Sequence, residues 1–408
     1  MSAKIRLENF STKEKQFIEK TLVVNETEEI FDVDDTHLFL PKGFAEEHFK
    51  FKLEKKSPIN IESTTFTGKL RPAQESVAKN ALTNMYTKGT ILIVAHPGFG
   101  KTITSINIAC KLNMKTMIIV NKLILIKQWT ESINIFCPDK KLQYITSKTK
   151  LIDPTADFYI MNAINIKKKP KVWFEQIKLV IIDEIHQLVT KILCQGFFHF
   201  TPDYLIGLSA TPYRFDEYNK VISWFFGKYL IGKQLMKKHL VYYVDSDFVP
   251  DIAYTPRGLD WNVVLNSQAQ NEKRNELIVK IVNRFPEKIW LILVKRVVHA
   301  EILQKMFGGK CETLLREKIN FDKNCKILIG TTCKIGVGFD HSKIDALFIA
   351  ADVKNYFVQF LGRCMRRPDC DPIVVDLIDN FRVLKKHFEG RTVEYLKHGG
   401  SLKELIIS

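Results

Sequence analysis

The segment of residues 91–102 constrains this chain more than any other. It reads Ile-Leu-Ile-Val-Ala-His-Pro-Gly-Phe-Gly-Lys-Thr, an apolar run that passes through glycine into Gly-Lys-Thr. Such a turn aims backbone N–H groups at phosphate oxygens, a lysine reaches the β and γ phosphates, and a hydroxyl suits Mg²⁺. We therefore predict a phosphate-binding loop between a buried strand and a helix at 101–112, with Ala95 in place of the usual first glycine. Four residues are expected on the nucleotide: Gly98, Gly100, Lys101 and Thr102, the last also on Mg²⁺.

Composition points to a globular protein with a polyanionic partner. The 408 residues are 46% hydrophobic, enough for two ordinary cores, and the formal net charge is +16. Lysine and arginine that neutralise phosphates release condensed counterions, so nucleic acid is the first candidate, although a lysine-rich composition alone could reflect a biased genome.

Cysteine usage and hydropathy exclude several other classes of protein. The eight cysteines form no Cys-x-x-Cys pair and lie beside no histidine cluster, so neither a zinc site nor a disulfide framework is indicated. No apolar run approaches the ~20 residues that a membrane span requires. We therefore expect a soluble, intracellular protein with reduced thiols.

Short apolar runs alternate with helical stretches in two series. Continuously apolar strands are typical of parallel sheets buried on both faces, so the chain is expected to have an α/β fold with two tandem domains. The first series comprises 91–95, 116–120, 158–161, 179–182 and 205–208, and the second 289–294, 313–315, 326–330, 346–350 and 373–377. The expected divisions are an N-terminal extension at 1–65, domain 1 at 66–245, a linker at 246–271, domain 2 at 272–385, and a C-terminal helix or tail at 386–408.

Two carboxylates and a histidine follow the fourth of these runs. The strand at 179–182 ends in Asp183-Glu184-Ile-His186, and ligands bind at the carboxyl ends of strands in open α/β sheets. Asp183 is expected to hold Mg²⁺, and Glu184 is expected to orient and deprotonate the water that attacks the γ-phosphate.

Arginines recur at the end of the second series. Residues 359–367 read Gln-Phe-Leu-Gly-Arg-Cys-Met-Arg-Arg, which places Arg363 and Arg366 three residues apart on one helical face. Guanidinium groups spread the charge of a transferring phosphoryl group and accelerate such reactions by roughly 10³- to 10⁵-fold. Both arginines are therefore candidate catalytic residues.

The order of these motifs resembles the DExH branch of superfamily 2 helicases and translocases. The phosphate loop, Asp-Glu-x-His and a Ser-Ala-Thr segment at 209–211 carry the resemblance. It implies RecA-like domains, ATP and Mg²⁺ as cofactors, and coupling of the nucleotide site to nucleic acid through the Ser-Ala-Thr segment.

The resemblance also assigns roles to individual positions. Gln74 is expected to read the adenine base, and the segment from Asn121-Lys122 to Gln128-Trp129 matches one that grips the nucleic-acid backbone, although the family more often has Pro-Thr at 121–122. Coupling and nucleic-acid contacts are expected from His186, Ser209, Thr211, Asn121, Lys122, Lys295 and Thr332. Contacts with the nucleotide from domain 2 are expected from Gly338, Asp340 and Gln359.

Three short stretches look more specifically like the late-transcription DNA helicases of poxviruses and other large cytoplasmic DNA viruses. They lie at 39–44 (Phe-Leu-Pro-Lys-Gly-Phe), 98–104 and 336–340. This likeness implies a viral factory or virion as the location, and transcription, replication or recombination, with its proteins as partners, as the setting.

We therefore expect an ATP-dependent DNA helicase or translocase acting on single- or double-stranded DNA. An RNA helicase shares the same ATPase motifs, so RNA remains a possible partner. A double-strand translocase that does not unwind is a further alternative, because no wedge hairpin is evident between the motifs. An inactive binding module is disfavoured, since Lys101, Asp183, Glu184, Arg363 and Arg366 are all present.

Overall fold

The computed structural model divides the chain into two compact units. Unit 1 comprises Met1–Ala95 with Phe99–Lys233, and unit 2 comprises His96–Gly98 with Gln234–Ser408. The described residues are 1–54, 56, 65–96, 98–211, 214, 216–233, 237–256, 258–316, 318, 321–322, 324–336, 339, 341, 343–353, 357–365 and 370–407.

The N-terminal residues form a small layer of strands and helices in unit 1. The strands are β1 (Ser2–Arg6), β2 (Val23–Val24), β3 (Glu28–Glu29), β4 (Asp32–Val33) and β5 (His37–Pro41), and the helices are α1 (Thr12–Thr21) and α2 (Lys42–His48). β5 lies between β1 and β4 and is antiparallel to both. Ser11 begins α1 with a capping box that it forms with Glu14, which satisfies two otherwise unpaired backbone donors.

This layer is anchored to the rest of unit 1. Met1, Val24, Ile30 and Phe39 belong to the same hydrophobic cluster as the main sheet of the unit. The Met1 amino group donates hydrogen bonds to the backbone carbonyls of Phe197 and Phe200. The described part of the expected extension therefore packs against the domain that follows it.

Seven parallel strands form the main sheet of unit 1. They are β6 (Thr90–Ala95), β7 (Thr116–Val120), β8 (Leu142–Ile145), β9 (Phe158–Asn162), β10 (Leu179–Ile182), β11 (Tyr204–Ser209) and β12 (Leu230–Lys233), in the spatial order β12-β6-β11-β10-β7-β9-β8. The helices are α3 (Pro72–Lys88), α4 (Lys101–Leu112), α5 (Leu123–Phe136), α6 (Ile185–Leu188), α7 (Lys191–Phe197) and α8 (Asn219–Phe226).

Unit 2 repeats this architecture. Its strands are β13 (His239–Asp245), β14 (Tyr254–Thr255), β15 (Gly258–Leu259), β16 (Trp290–Val294), β17 (Cys311–Leu314), β18 (Ile327–Thr331), β19 (Ala346–Ile349), β20 (Ile373–Ile378) and β21 (Gly400–Glu404). Seven of them form a parallel sheet in the order β17-β18-β16-β19-β20-β13-β21. The helices are α9 (Trp261–Gln270), α10 (Glu272–Asn283), α11 (Val297–Phe307), α12 (Thr332–Gly336), α13 (Phe357–Cys364) and α14 (Arg382–Lys397).

The predicted α/β class with two mainly parallel sheets is confirmed. Central strands such as β7 and β16 are buried along their whole length, as expected for strands covered by helices on both faces. The sequence did not reveal the edge strands β8, β12 and β21, or β13, which lies beside β21. β8 and β21 are half covered and contain polar residues, so the continuous apolar run that reveals a buried strand is missing from them.

The predicted boundary between the domains differs from the structure in two places. β13, which was assigned to the end of domain 1, pairs with β20 and β21 in the sheet of unit 2. The expected linker at 246–271 contains α9, whose first turn is capped by the Asp260 side chain. Polar composition alone misled the sequence interpretation there, because an amphipathic helix can begin with such residues.

Two observations bear on the expected class of protein. No helix in the described parts of the chain has the length and apolar character needed to cross a bilayer. All eight cysteines are free thiols, and the Sγ atoms of Cys110 and Cys137 lie 3.0 Å apart in the interior.

Candidate active site

The strand order of unit 1 gathers the predicted motifs at one edge of the sheet. β6, β11, β10 and β7 are consecutive neighbours and all run in the same direction. Their carboxyl ends therefore meet, although the four segments are spread over more than a hundred residues of sequence. The predicted residues at or near this edge are Gln74, Gly100, Lys101, Thr102, Asn121, Lys122, Asp183, Glu184, His186, Ser209 and Thr211.

The phosphate-binding loop follows β6 and turns through two glycines. Gly98 and Gly100 have φ angles of +83° and +91°, which side chains disfavour. A Cβ at Gly100 would also come within 2.3 Å of the Gln74 amide nitrogen. The Lys101 ammonium group donates a hydrogen bond to the carbonyl oxygen of Ala95 at 2.8 Å, across the base of the loop. The two glycines and the start of α4 thus fit a glycine-rich turn into a helix N-terminus, the arrangement that binds phosphate in many proteins.

Gln74 ties this loop to the start of α3. Its Nε2 donates to the Phe99 carbonyl at 2.8 Å, and its Oε1 accepts the Arg71 backbone N–H at 2.8 Å. The Arg71 guanidinium donates to the same Phe99 carbonyl. Gln74 is buried, so in this structure its amide holds the loop in place, and its contact with adenine stays a prediction.

Asp183 and Glu184 directly follow β10. The Asp183 backbone N–H donates to the Ile119 carbonyl at 3.0 Å, which continues the pairing with β7, and Asp183 Oδ1 accepts the Glu184 N–H at 3.0 Å. Glu184 has a φ of +52°, a conformation that non-glycine residues adopt at some cost and often at functional sites. Burial, followed by the Glu184 charge, raises the pKa of Asp183 to about 6, while the Trp129 indole and the Lys101 charge act in the opposite direction.

Trp129 also belongs to this site, although the sequence predicted a different role for it. We expected it in a segment that grips nucleic acid, but its side chain is 1% exposed and its indole N–H donates to Asp183 Oδ2 at 2.9 Å. The spacing of Leu125, Trp129 and Ile133 along α5 contained the signal, because residues four apart share one face of a helix.

A chain of side-chain hydrogen bonds crosses the strand ends. Asn121 Nδ2 donates to Gln187 Oε1 at 2.6 Å, Gln187 Nε2 lies 3.3 Å from His186 Nε2, and His186 Nδ1 lies 2.8 Å from Ser209 Oγ. Ser209 Oγ accepts the Thr211 N–H at 3.0 Å and donates to the Thr211 carbonyl. Gln187 was not predicted to take part in the site.

The protonation state of His186 determines which atoms donate and which accept along this series of hydrogen bonds. Burial, followed by the Lys101 and Arg214 charges, lowers the pKa of His186 to about 3, so the ring is neutral. Because the Gln187 amide donates to Nε2, the remaining proton is assigned to Nδ1, which donates to Ser209. Within the described residues, Thr211 Oγ1 and Asn121 Oδ1 are buried and have no hydrogen-bond partner.

The described candidates of unit 2 lie beside three neighbouring strands. Lys295 follows β16 and is exposed, whereas Thr332 follows β18 and is nearly buried. Gln359 and Arg363 are buried on α13, and the Arg363 guanidinium donates to the Phe339 carbonyl and lies 5.7 Å from the centroid of that ring. Gly338, Asp340 and Arg366 lie outside the described residues.

The residues of unit 1 suit Mg²⁺ bound together with a nucleoside triphosphate. Mg²⁺ prefers oxygen ligands and keeps several waters, so one hydroxyl and one carboxylate are a sufficient protein contribution. Thr102 is the second residue of α4, directly after the loop, and Asp183 directly follows β10, which lies two places from β6 in the sheet.

The family profile described as "Type III restriction enzyme, res subunit" matches residues 67–214, the segment that contains this site. A protein of Invertebrate iridescent virus 6 named as a candidate helicase is 40% identical over 90% of this chain and 89% of its own length. A candidate helicase of Frog virus 3 is 32% identical over 82% of this chain and 79% of its own length.

More distant matches carry related names. A protein of Acanthamoeba polyphaga mimivirus named as a candidate ATP-dependent RNA helicase is 23% identical over 85% of this chain and 72% of its own length. The SWI2/SNF2 ATPase core of Sulfolobus solfataricus in complex with dsDNA has a TM-score of 0.42 at 11% identity, over 84% of this chain and 94% of that chain.

These relatives confirm the predicted resemblance to the helicases. Identity of 40% across nearly the whole of both chains leaves no large region unaccounted for. The chain belongs to the superfamily 2 helicases of large DNA viruses, and it is an ATP-hydrolysing enzyme.

Proposed function

We propose that this helicase is a DNA motor that couples hydrolysis of Mg²⁺-bound ATP to movement along DNA or to its unwinding. The observation that carries the proposal is the hydrogen-bonded chain from Asn121 to Thr211. It links a loop in the position of a nucleic-acid contact to the segment that contains Asp183 and Glu184.

The proposed chemistry uses groups at the carboxyl edge of the unit 1 sheet. Lys101 and the N–H groups of the glycine loop bind the phosphates, while Thr102 and Asp183 hold Mg²⁺, which neutralises charge on the β and γ oxygens. Glu184 orients the attacking water and accepts its proton. Arg363 and Arg366 are proposed to stabilise the charge of the transferring phosphoryl group, and Gln74, Gly338, Asp340 and Gln359 to contact the nucleoside and phosphates.

The proposed coupling uses side chains that are already hydrogen-bonded to one another. A phosphate that takes the Asn121 amide away from Gln187 frees the Gln187 side chain to shift, which alters the hydrogen bond to His186 Nε2. The next bond in the chain, from His186 to Ser209, lies beside Glu184, whose carboxylate is 3.6 Å from His186 Nδ1. Nucleic acid at Asn121 and Lys122 therefore acts on the residues that handle the attacking water. Lys295 and Thr332 are proposed as the corresponding contacts in unit 2.

The net charge of +16 suits any nucleic acid. DNA is the proposed substrate because the matching family profile is described as a restriction enzyme subunit. RNA is the second candidate, because the mimivirus relative is named as an RNA helicase. Transcription or replication in the virus is the proposed setting, in a viral factory or virion.

The test is ATP hydrolysis at fixed salt with no nucleic acid, single-stranded DNA, double-stranded DNA or RNA, followed by strand displacement with each duplex. We expect DNA to stimulate hydrolysis more than RNA does. Stimulation by double-stranded DNA without strand displacement would identify a translocase that does not unwind. Stimulation by RNA alone would contradict the proposal.

The Lys101→Ala variant separates the site assignment from the choice of substrate. It should lose ATP hydrolysis under every condition while it keeps its DNA affinity. Lys111→Ala, on the same helix α4 but about three turns from the loop, is the matched control and should hydrolyse ATP normally. Full turnover by Lys101→Ala would refute the site assignment, whatever the nucleic acid.

A further inference from the structure

The hydrogen bond between the Trp129 indole and Asp183 is a direct link between α5 and the carboxylate assigned to the metal. We propose that Trp129 is a positioning residue that orients the Asp183 carboxylate for Mg²⁺ and connects it to the nucleic-acid segment at the start of α5. This inference rests on the proposed assignment of Asp183 to Mg²⁺.

The geometry fixes both oxygens of the carboxylate. Oδ1 accepts the Glu184 backbone N–H at 3.0 Å, and Oδ2 accepts the Trp129 Nε1–H at 2.9 Å. Each oxygen keeps further lone pairs, so the two donors set the plane of the group without blocking it. A partner of this kind typically changes metal affinity by 10- to 100-fold when it is removed, because the ligand then samples other orientations.

Trp129 is itself held firmly in place. It is among the largest fully buried side chains of the described chain, and it lies on the same face of α5 as the buried residues Leu125 and Ile133. An indole has few rotamers to lose and offers one donor only, so its hydrogen bond to Asp183 is well defined. Loss of this donor leaves the Oδ2 atom of a buried carboxylate with one hydrogen bond fewer.

The same helix begins at the predicted nucleic-acid segment. Lys122 is the N-cap of α5, and Trp129 lies two turns further on. A helix moves as a rigid element over that distance, so a displacement of its first turn is passed to the indole. This segment thus has two links to the acidic pair: the Trp129 hydrogen bond reaches Asp183, and the hydrogen bonds through Asn121 and Gln187 reach His186, whose Nδ1 lies 3.6 Å from the Glu184 carboxylate.

The experiment measures how much Mg²⁺ strengthens nucleotide binding. The dissociation constant of a fluorescent, non-hydrolysable ATP analogue is determined by anisotropy, once with Mg²⁺ and once with a chelator, and the ratio of the two constants is the metal enhancement. For Trp129→Phe we expect this enhancement to fall 10- to 100-fold, with binding in the chelator unchanged within about twofold. Neither measurement involves turnover or nucleic acid.

A second variant guards against simple misfolding. Replacement of Trp129 by benzothienylalanine exchanges the N–H for sulfur and keeps the shape of the ring, so it removes the donor alone. It should reproduce the loss of enhancement with an unchanged thermal unfolding midpoint. Trp173→Phe, at a partly exposed site beside Lys169, is the matched control and should keep the full enhancement.

Two outcomes would overturn the inference. An enhancement within twofold of wild type in the benzothienylalanine protein would show that the N–H does not position the carboxylate. Equal weakening with and without Mg²⁺ would show that Trp129 only supports the fold. The Asp183→Asn variant separates failure of this inference from failure of the proposed function. If that variant keeps the full metal enhancement, the assignment of Asp183 to the metal is wrong.

Discussion

Lys42 offers a quantitative test of the electrostatics of unit 1. It is the first residue of α2, its side chain is only 6% exposed, and burial lowers its pKa from 10.5 to about 8. The Glu46 carboxylate opposes this effect without cancelling it. The difference of about 2.5 pKa units corresponds to roughly 3 kcal/mol between the charged and neutral lysine, at about 1.4 kcal/mol per unit.

The sign of the effect follows from proton uptake. Between pH 8 and 10.5 the unfolded lysine holds a proton that the folded lysine has lost, so the unfolded state binds more protons and the free energy of unfolding rises with pH. Below pH 8 both states are protonated, and the full cost of burying the charge is present. Lys42→Met removes this cost, so we expect the variant to be more stable than wild type at pH 7 by about 2–3 kcal/mol.

The assay is urea unfolding of both proteins at several values between pH 7 and 10.5, followed by tryptophan fluorescence and circular dichroism. Groups that titrate in both proteins, such as the buried thiols, largely cancel in the difference. We expect the advantage of Lys42→Met to shrink by roughly 3 kcal/mol across this window. Parallel stability profiles for the two proteins would refute the reasoning, because they would mean that Lys42 titrates alike in both states.

Three further predictions concern the active site. Gln187→Leu removes two neutral hydrogen bonds of about 0.5–1.5 kcal/mol each, so the ratio of DNA-stimulated to basal hydrolysis should fall roughly 5- to 150-fold; an unchanged ratio would exclude this route of coupling. Gly100→Ala should abolish binding of the ATP analogue, because its φ of +91° and a contact of 2.3 Å leave no room for a Cβ, whereas Gly309→Ala, with open space around it, should bind normally. Arg363→Lys should keep nucleotide affinity but lower kcat by roughly 10³-fold or more if the guanidinium acts on the phosphoryl group. The rate of ATP hydrolysis is measured in single-turnover experiments, and a decrease smaller than about tenfold would contradict this role.

Much of the architecture could be predicted because it depends on local patterns. All ten apolar runs correspond to strands, nine of them central and one, β17, at a sheet edge. The phosphate loop with its helix at Lys101–Leu112 follows from glycine chemistry within a dozen residues. The edge strands and the change of sheet before β13 depend on which strands pair. Pairing is a long-range property, so polar edge sequences do not reveal it.

The sequence by itself determined which functional groups this protein has: a lysine, a hydroxyl, two carboxylates and arginines, in an order that indicates the family. The tertiary structure decided which side chains meet. Trp129 reaches Asp183, and Gln187 joins Asn121 to His186, only because β7 and β10 lie side by side and their carboxyl ends share one edge. The Trp129–Asp183 and Asn121–Gln187 contacts join residues more than fifty positions apart, and no spacing along the chain encodes them without the register of the sheet.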